Sequence, residues 1–245
     1  MGVYLNGNST LRENYERWHS QVRKPPKLRK KVAKITHRFY LNVIKLLGPH
    51  RGVLLDISCG GGGMLAVAEE QGIETYGIDI STVAVSRAKQ HNSAANLVVA
   101  DAENLPFRSK CFDFVTCLGS LEHFHNQSNA IHETAMVLRQ GGKCVMHVPN
   151  LHFLGHIYMA WRYVIEPSEG EQGFSEVFRT IAGWKNLLEG SGLRVIRVKK
   201  YNEIWATTKV GVIAILLWNY LLKPLVPTNL SICFTFICEK GDNVL

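Results

Sequence analysis

The chain has 245 residues, of which 46% are apolar and 20% are charged. This length fits one domain of ordinary size with appended segments, and the composition is that of a globular protein. A mostly disordered chain, a collagen-like chain and a multi-span membrane protein are therefore excluded.

The formal net charge of +8 is concentrated near the N-terminus. Residues 1–50 contain 11 Lys and Arg against 2 Asp and Glu, whereas the remainder is close to neutral. Such a patch can bind nucleic acid, bind anionic lipid headgroups or face solvent, and charge alone leaves all three open. The basic residues are Arg23, Lys24, Lys27, Arg29, Lys30, Lys31, Lys34 and Arg38.

The six cysteines contain no C-x-x-C pair, and most lie in apolar runs, as free core thiols do. Met1 is not followed by the charged and then apolar stretch of a signal peptide. Both features favour a reducing, cytoplasmic location.

Two helices are predicted first, over residues 10–22 and 27–47, on either side of Pro25 and Pro26. In the second, apolar residues recur at helical spacing while lysines occupy another face. After residue 50, short β-branched runs alternate with helical stretches, which predicts β-α-β units and a doubly wound α/β sheet. The predicted strands are 53–57, 74–78, 97–100, 112–117, 143–148, 193–198 and 232–238, and the later helices are 62–71, 82–91, 126–139, 151–165 and 180–190.

The strongest functional motif runs from Val53 to Gly63, where an apolar strand is followed by a glycine-rich turn and a helix. Glycines allow close backbone approach to a ligand, and the new helix presents free N–H groups. A second strand ends at Asp79, where carboxylates bind ribose hydroxyls. Further motifs follow the third strand, at 100–107, and the fourth, at 118–124. A nicotinamide dinucleotide site would explain the turn but not these last two motifs.

Together these motifs resemble the class I S-adenosylmethionine-dependent methyltransferases, in particular their type 11 small-molecule branch. The resemblance is close over residues 50–150 and looser over 180–240. It implies a Rossmann-like, mostly parallel seven-stranded sheet in a methyltransferase domain over 49–245. Residues 1–48 are then a basic N-terminal helical extension, and residues 151–178 a substrate cover.

The resemblance also implies which residues hold the cofactor, S-adenosyl-L-methionine. Asp56, Gly60 and Gly62 are expected around its methionine part, together with Ser58, which stands where the family usually has glycine. The residues expected around the rest of the cofactor are Asp79 at the ribose, Ile80 against the adenine, Asp101 at the adenine amino group with Ala102 beside it, and Leu118 near the sulfonium.

His123 is the candidate catalytic base, because a hydroxyl acceptor must lose its proton and imidazole has a suitable pKa. A histidine bound to local backbone gives the same sequence pattern, and His147, His152 and His156 are expected to be structural.

Certain quinone-pathway members of the family carry a Glu-x-x-Glu-His metal motif. Here Gly119 replaces the first glutamate, and two ligands rarely hold a hard divalent ion, so no metal is predicted.

Residues 202–230 separate the last two predicted strands, where the family has a short turn. Their apolar run, 210–222, is shorter than the roughly 20 residues that span a bilayer, and we expect it to form an apolar helical insertion. Such a run packs on protein, dimerises or enters a membrane surface. The aromatic residues Trp205, Trp218 and Tyr220, with the basic N-terminus, favour peripheral membrane binding.

The predicted function is S-adenosylmethionine-dependent methylation, expected on oxygen, of a small hydrophobic or lipid-linked acceptor at an anionic membrane surface. One alternative is a soluble small-molecule methyltransferase whose insertion is a lid or dimer interface. An RNA methyltransferase and an inactive cofactor-binding protein are further alternatives. Nucleic acid is disfavoured because the fourth strand lacks the motif with which base-flipping enzymes bind an amino group. The sequence specifies no oligomeric state.

Overall fold

A computed structural model describes residues 11–21, 26–48, 51–92, 94–153, 176–202 and 225–241. The helices are α1 (Leu11–Gln21), α2 (Pro26–Leu47), α3 (Gly63–Glu70), α4 (Thr82–His91), α5 (Gln127–Val137) and α6 (Ile181–Gly190). The strands are β1 (Val53–Ile57), β2 (Glu74–Asp79), β3 (Asn96–Val99), β4 (Phe112–Leu118), β5 (Leu138–Pro149), β6 (Leu193–Tyr201) and β7 (Cys233–Lys240). Short 3-10 turns lie at Leu121–His123 and Thr228–Leu230.

The strands of the described residues form one seven-stranded sheet in the order β3-β2-β1-β4-β5-β7-β6. The first five strands pair in parallel, and β7 runs antiparallel to both β5 and β6. The prediction of a doubly wound, mostly parallel seven-stranded sheet is therefore confirmed.

The central strands are buried on both faces, which explains why β1 is an almost continuous apolar run. Successive side chains of a strand point to opposite faces, so Leu54 and Leu55 enter different buried clusters. The cluster around Leu54 includes α2 and α3, and the cluster around Leu55 includes α5 and α6. All six cysteines are free thiols, and four of them are buried.

The helix α2 is fastened to the sheet by its apolar face. Val43, Ile44 and Leu47 are each 1% exposed, whereas Lys34 and Arg38 lie on the exposed side. Full burial of such a side chain stabilises the fold by roughly 1.5–3 kcal/mol. Tyr40 is thereby held one turn before Ile44, with its ring against Gly63 at the glycine-rich turn.

The helix predicted over 126–139 ends at Val137, so the prediction was wrong for its last two residues. The backbone N–H groups of Lys110 and Cys111 donate to the carbonyl oxygens of Met136 and Val137, at 3.0 and 2.9 Å. These bonds take up the carbonyls of the final helical turn, and the next residue, Leu138, pairs with β4.

Most of the predicted substrate cover and apolar insertion lie outside the described residues, as does the predicted helix 151–165 beyond residue 153. His156 and the segment 210–222 are among the residues so excluded, and so are the side chains of Lys27–Lys31. In the described part of the chain, no helix has both the length and the apolarity that a membrane crossing requires.

Candidate active site

A cavity of about 480 Å³ lies at the carboxyl ends of the central strands. The strand order reverses between β1 and β4, and ligands of open α/β sheets bind at such a switch point. The volume is in the range of small-molecule sites. Of the residues predicted for the site, the cavity wall includes Ser58, Gly60, Asp79, Ile80, Asp101, Ala102, Leu118 and His123.

The carboxylate of Asp79 connects two parts of this wall. Its Oδ2 accepts a hydrogen bond from the Gly60 N–H at 2.9 Å, and its Oδ1 accepts one from the Ser81 N–H at 2.9 Å. A carboxylate has about four acceptor positions, so two remain for a ligand. Asp79 therefore orders the glycine-rich turn and can still bind ribose hydroxyls.

The glycine-rich turn uses left-handed backbone at three positions. Gly60 has φ +53°, and a Cβ placed there would meet no protein atom within 4 Å, so its open side faces the cavity. Ser58 has φ +57°, a conformation that favours glycine. This explains in physical terms why a glycine would suit position 58.

Gly62 lies behind the turn and is absent from the cavity wall. Its φ is +77°, and a Cβ there would lie 2.1 Å from Asn92 Nδ2. Asn92 Nδ2 in turn donates to the Gly62 carbonyl at 2.9 Å. The structure thus gives Gly62 a packing role between the turn and α4.

Asp56 is also set back from the cavity wall. It is 4% exposed and accepts a 2.6 Å hydrogen bond from Thr116 Oγ1. Burial raises its pKa to about 7, and the negative charge of Asp79 adds to the effect. Asp56 therefore has a structural role, joining the ends of β1 and β4 beneath the glycine-rich turn.

At the other end of the cavity, Asp101 is exposed at the protein surface. Its Oδ1 accepts a 2.9 Å hydrogen bond from the Glu103 N–H, which fixes the carboxylate in the loop after β3. Ile80 and Ala102 lie in the same wall and offer apolar contacts. An acceptor flanked by apolar side chains suits a planar base with an amino group.

His123 follows β4 on the short 3-10 turn and enters the cavity wall. Its side chain is 8% exposed, and its Nε2 lies 3.8 Å from Oε1 of Glu176. Burial lowers the pKa of His123 below its usual value, so the imidazole is neutral at pH 7. A neutral imidazole beside a carboxyl group can accept a proton and be stabilised once charged.

Glu122 is a buried acid next to this histidine. Burial raises its pKa to about 8, with a further contribution from Glu176, so the side chain is protonated at neutral pH. Its Oε2 is buried without a hydrogen-bond partner. Within the described residues, no group of three or more His, Cys, Asp and Glu is placed to hold a metal.

His147 is held away from the cavity wall, in β5. Its Nδ1 is 2.9 Å from Thr235 Oγ1, and its ring packs against Phe39 and Tyr201. Burial lowers its pKa to about 4. His152 is exposed and also absent from the wall.

Sequence reasoning missed Tyr15, Tyr40 and Glu176. Tyr15 and Tyr40 lie in the cavity wall, and Glu176 contacts His123. Tyr15 and Glu176 come from segments far from the glycine-rich motif, and no local pattern predicts where such segments dock. Tyr40 could have been found from the sequence, because it lies on the apolar side of α2, a short distance before β1.

Residues 55–146 match a protein-family model described as a methyltransferase domain. A ubiquinone biosynthesis O-methyltransferase of Coxiella burnetii is 27% identical over 164 residues, covering 63% of this chain and 68% of that protein. The chain carries a methyltransferase domain and is an S-adenosylmethionine-dependent methyltransferase. Its cofactor is accordingly S-adenosyl-L-methionine.

Solved structures agree with the fold of this methyltransferase. An S-adenosylmethionine dependent methyltransferase from Mesorhizobium loti superposes with a TM-score of 0.62 at 19% identity, over 82% of this chain and 96% of that one. A chain from the complex between the Haloferax volcanii Trm112 methyltransferase activator and a methyltransferase superposes with a TM-score of 0.66 at 16% identity. The superposition covers 95% of this chain and 100% of that one. At these identities the likeness concerns the fold alone.

Gly60 and Gly62, the two glycines of the turn with left-handed backbone, give a paired test of the site. Gly60→Ala places a methyl group in the cavity and is expected to weaken S-adenosylhomocysteine binding at least tenfold, with a small loss of thermal stability. Gly62→Ala instead forces a clash with Asn92, so its melting temperature should fall further than that of Gly60→Ala. Calorimetric titration and thermal melts check both. Equal affinities for Gly60→Ala and the wild type would contradict the placement of Gly60.

The exposed position of Asp101 allows a test that leaves the core intact. Loss of a charged hydrogen bond costs about 1.5–3 kcal/mol, so Asp101→Ala should weaken S-adenosylhomocysteine binding roughly ten- to hundredfold. The melting temperature should fall only slightly, because the hydrogen bond that the Glu103 N–H loses is an exposed one. Asp113→Ala, far from the cavity wall, is the matched control for affinity. An Asp101→Ala protein with wild-type affinity would remove this residue from the site.

Proposed function

We propose that this methyltransferase transfers a methyl group to a hydroxyl of a small hydrophobic or lipid-linked acceptor, with His123 as the general base. The observation that carries the proposal is the neutral, largely buried imidazole in the cavity wall, 3.8 Å from Glu176. Relatives support oxygen as the methylated atom, because their names are ubiquinone biosynthesis O-methyltransferase and malonyl-[acyl-carrier protein] O-methyltransferase.

The residues of the cavity wall fit the cofactor by chemistry and by space. Asp79 has acceptor capacity left for the ribose hydroxyls, and Asp101 offers an acceptor for the adenine amino group. The open side of Gly60 leaves room for the methionine part. When bound, S-adenosylmethionine supplies a methyl group made electrophilic by the positive sulfur. The protein's contribution is to align the acceptor, and such positioning supplies roughly 7–11 kcal/mol.

His123 handles the proton of the acceptor. The hydroxyl proton passes to Nε2, which is available because burial keeps the pKa of this imidazole below its usual value. The charged imidazolium is then stabilised by the carboxyl group of Glu176, 3.8 Å from the same nitrogen. Tyr15 lies edge-on to the His123 ring, with 6.5 Å between ring centres, and helps to exclude water from the step.

The membrane part of the proposal rests on two sequence signals. Stable peripheral binding generally requires an apolar element together with a basic patch. The chain has the apolar run 210–222 and the basic residues between Arg23 and Arg38. In the described residues, Lys34 and Arg38 are exposed, and Leu225, close after the apolar run, is 76% exposed.

A base that must be neutral predicts a defined pH dependence. His123→Ala should lower kcat by about 10²–10⁴-fold and leave S-adenosylhomocysteine affinity within twofold. In the wild type, kcat should rise with pH and level off, with a midpoint below 6.5, because protonation of the lowered-pKa imidazole removes the base. Glu176→Gln should move that midpoint to lower pH, since a nearby negative charge is lost.

His132→Ala, an exposed histidine on α5, is the matched control and should keep the wild-type pH profile. The measurement is a radiolabelled-methyl transfer assay on lipid and soluble extracts, followed by the pH profile on the acceptor found. Wild-type kcat in His123→Ala would mean that the acceptor is methylated without this base, and the proposal of hydroxyl chemistry through His123 would be dropped.

Membrane binding is tested by flotation with vesicles of phosphatidylcholine and phosphatidylglycerol. The wild type should float with these anionic vesicles. With vesicles of pure phosphatidylcholine it should stay at the bottom of the gradient. The double variant Leu216→Ser, Leu217→Ser should stay at the bottom of the gradient while binding S-adenosylhomocysteine normally. If wild type and variant float equally, or if neither floats, membrane binding through the insertion is contradicted.

A further inference from the structure

The carboxylate of Glu16, on α1, lies at the first turn of α4. It accepts hydrogen bonds from the backbone N–H groups of Thr82 and Val83, at 2.7 and 3.1 Å. The hydroxyls of Ser81 and Thr82 donate to it as well, at 2.9 and 2.6 Å. One side chain therefore receives four hydrogen bonds from three consecutive residues, although Glu16 and Thr82 are 66 positions apart in the chain.

This contact satisfies groups that the helix cannot satisfy itself. The first N–H groups of a helix have no partner within it and carry partial positive charge. The Ser81 hydroxyl accepts from the Ala84 N–H, which leaves the Thr82 and Val83 N–H groups for Glu16. Burial raises the pKa of Glu16, but the hydrogen bonds from Thr82 and Ser81 outweigh it and lower the pKa to about 2.

The neighbouring residue on α1, Tyr15, points into the cavity wall. Burial raises its pKa, and the nearby carboxyl groups of Glu122 and Asp79 raise it further, so its hydroxyl stays protonated. Successive helical residues point about 100° apart, so α1 uses Glu16 to bind α4 and Tyr15 to cover the cavity. Glu13 lies on the exposed side of the same helix.

The same residues connect α1 to the predicted ribose site. Ser81 donates its N–H to Asp79 Oδ1 at 2.9 Å and its hydroxyl to Glu16. Asp79 also holds the Gly60 N–H. The covering helix and the carboxylate proposed to bind ribose are thus linked through one residue, Ser81.

We propose that Glu16 is a positioning residue that keeps α1 closed over the cofactor cavity by binding the N-terminus of α4. Opening of this contact sets the rate at which the cofactor and its product leave. Glu16 itself is not in the cavity wall, so it acts through the position of Tyr15 and α1. The proposal concerns cofactor exchange and is independent of which acceptor is methylated.

The experiment measures the dissociation rate of radiolabelled S-adenosylhomocysteine from the full chain, by displacement with unlabelled compound. Glu16→Ala should accelerate dissociation about ten- to hundredfold, as expected for loss of charged hydrogen bonds. Glu16→Gln keeps one acceptor oxygen and should fall between Glu16→Ala and the wild type. Glu13→Ala, on the same helix, is the matched control and should dissociate at the wild-type rate.

Two further measurements separate positioning from simple stabilisation of the fold. Amide hydrogen exchange should accelerate within residues 11–21 in Glu16→Ala and remain unchanged in β1 and β4. The effects of Glu16→Ala and Tyr15→Ala on dissociation should not add in the double variant, since both open the same cover. If Glu16→Ala does not fold, Thr82→Val, which removes one donor to Glu16, replaces it with a smaller expected acceleration.

A dissociation rate for Glu16→Ala within twofold of Glu13→Ala would overturn the proposal, whether or not exchange in α1 increases. Fully additive effects of Glu16→Ala and Tyr15→Ala would also overturn it, because Glu16 would then act by another route.

Discussion

Two backbone N–H groups, from Gly60 and Ser81, converge on the carboxylate of Asp79, and the rest of the site is arranged around this junction. The first N–H belongs to the glycine-rich turn and the second precedes α4, so one side chain at the end of β2 joins both. A carboxylate that accepts two backbone donors is fixed in its orientation. The remaining lone pairs are therefore presented to a ligand in a constant direction, which binding of a ribose requires.

The sequence predicted the elements that local patterns determine. Strands β1 and β4 could be located because each is a short, mainly apolar run that ends at a polar or glycine-rich segment. Helix α4 matched its predicted bounds. The residues Gly60, Asp79 and Asp101 could be placed at one edge of the sheet because carboxyl ends of parallel strands meet there. Their roles around the cofactor were predicted from the resemblance to the methyltransferase family.

Other features depend on contacts between distant segments, and these were missed or misplaced. Tyr15, Glu16 and Glu176 reach the site through docking of helices and loops, which no spacing rule describes. The end of α5 was misplaced because the N–H groups of Lys110 and Cys111 bind its last carbonyls. Gly60 and Gly62 look equivalent in the sequence, yet the side chain of Asn92 fills the space beside one of them and the cavity opens beside the other.

Helix α4 contacts two segments that border the cavity, α1 and the glycine-rich turn, with its two ends. Its first turn binds Glu16 of α1, and Asn92, just past its last turn, binds the carbonyl of Gly62 in the glycine-rich turn. A helix of ten residues measures about 15 Å and does not shorten without breaking hydrogen bonds. The separation between α1 and the glycine-rich turn is consequently set by the length of one rigid helix.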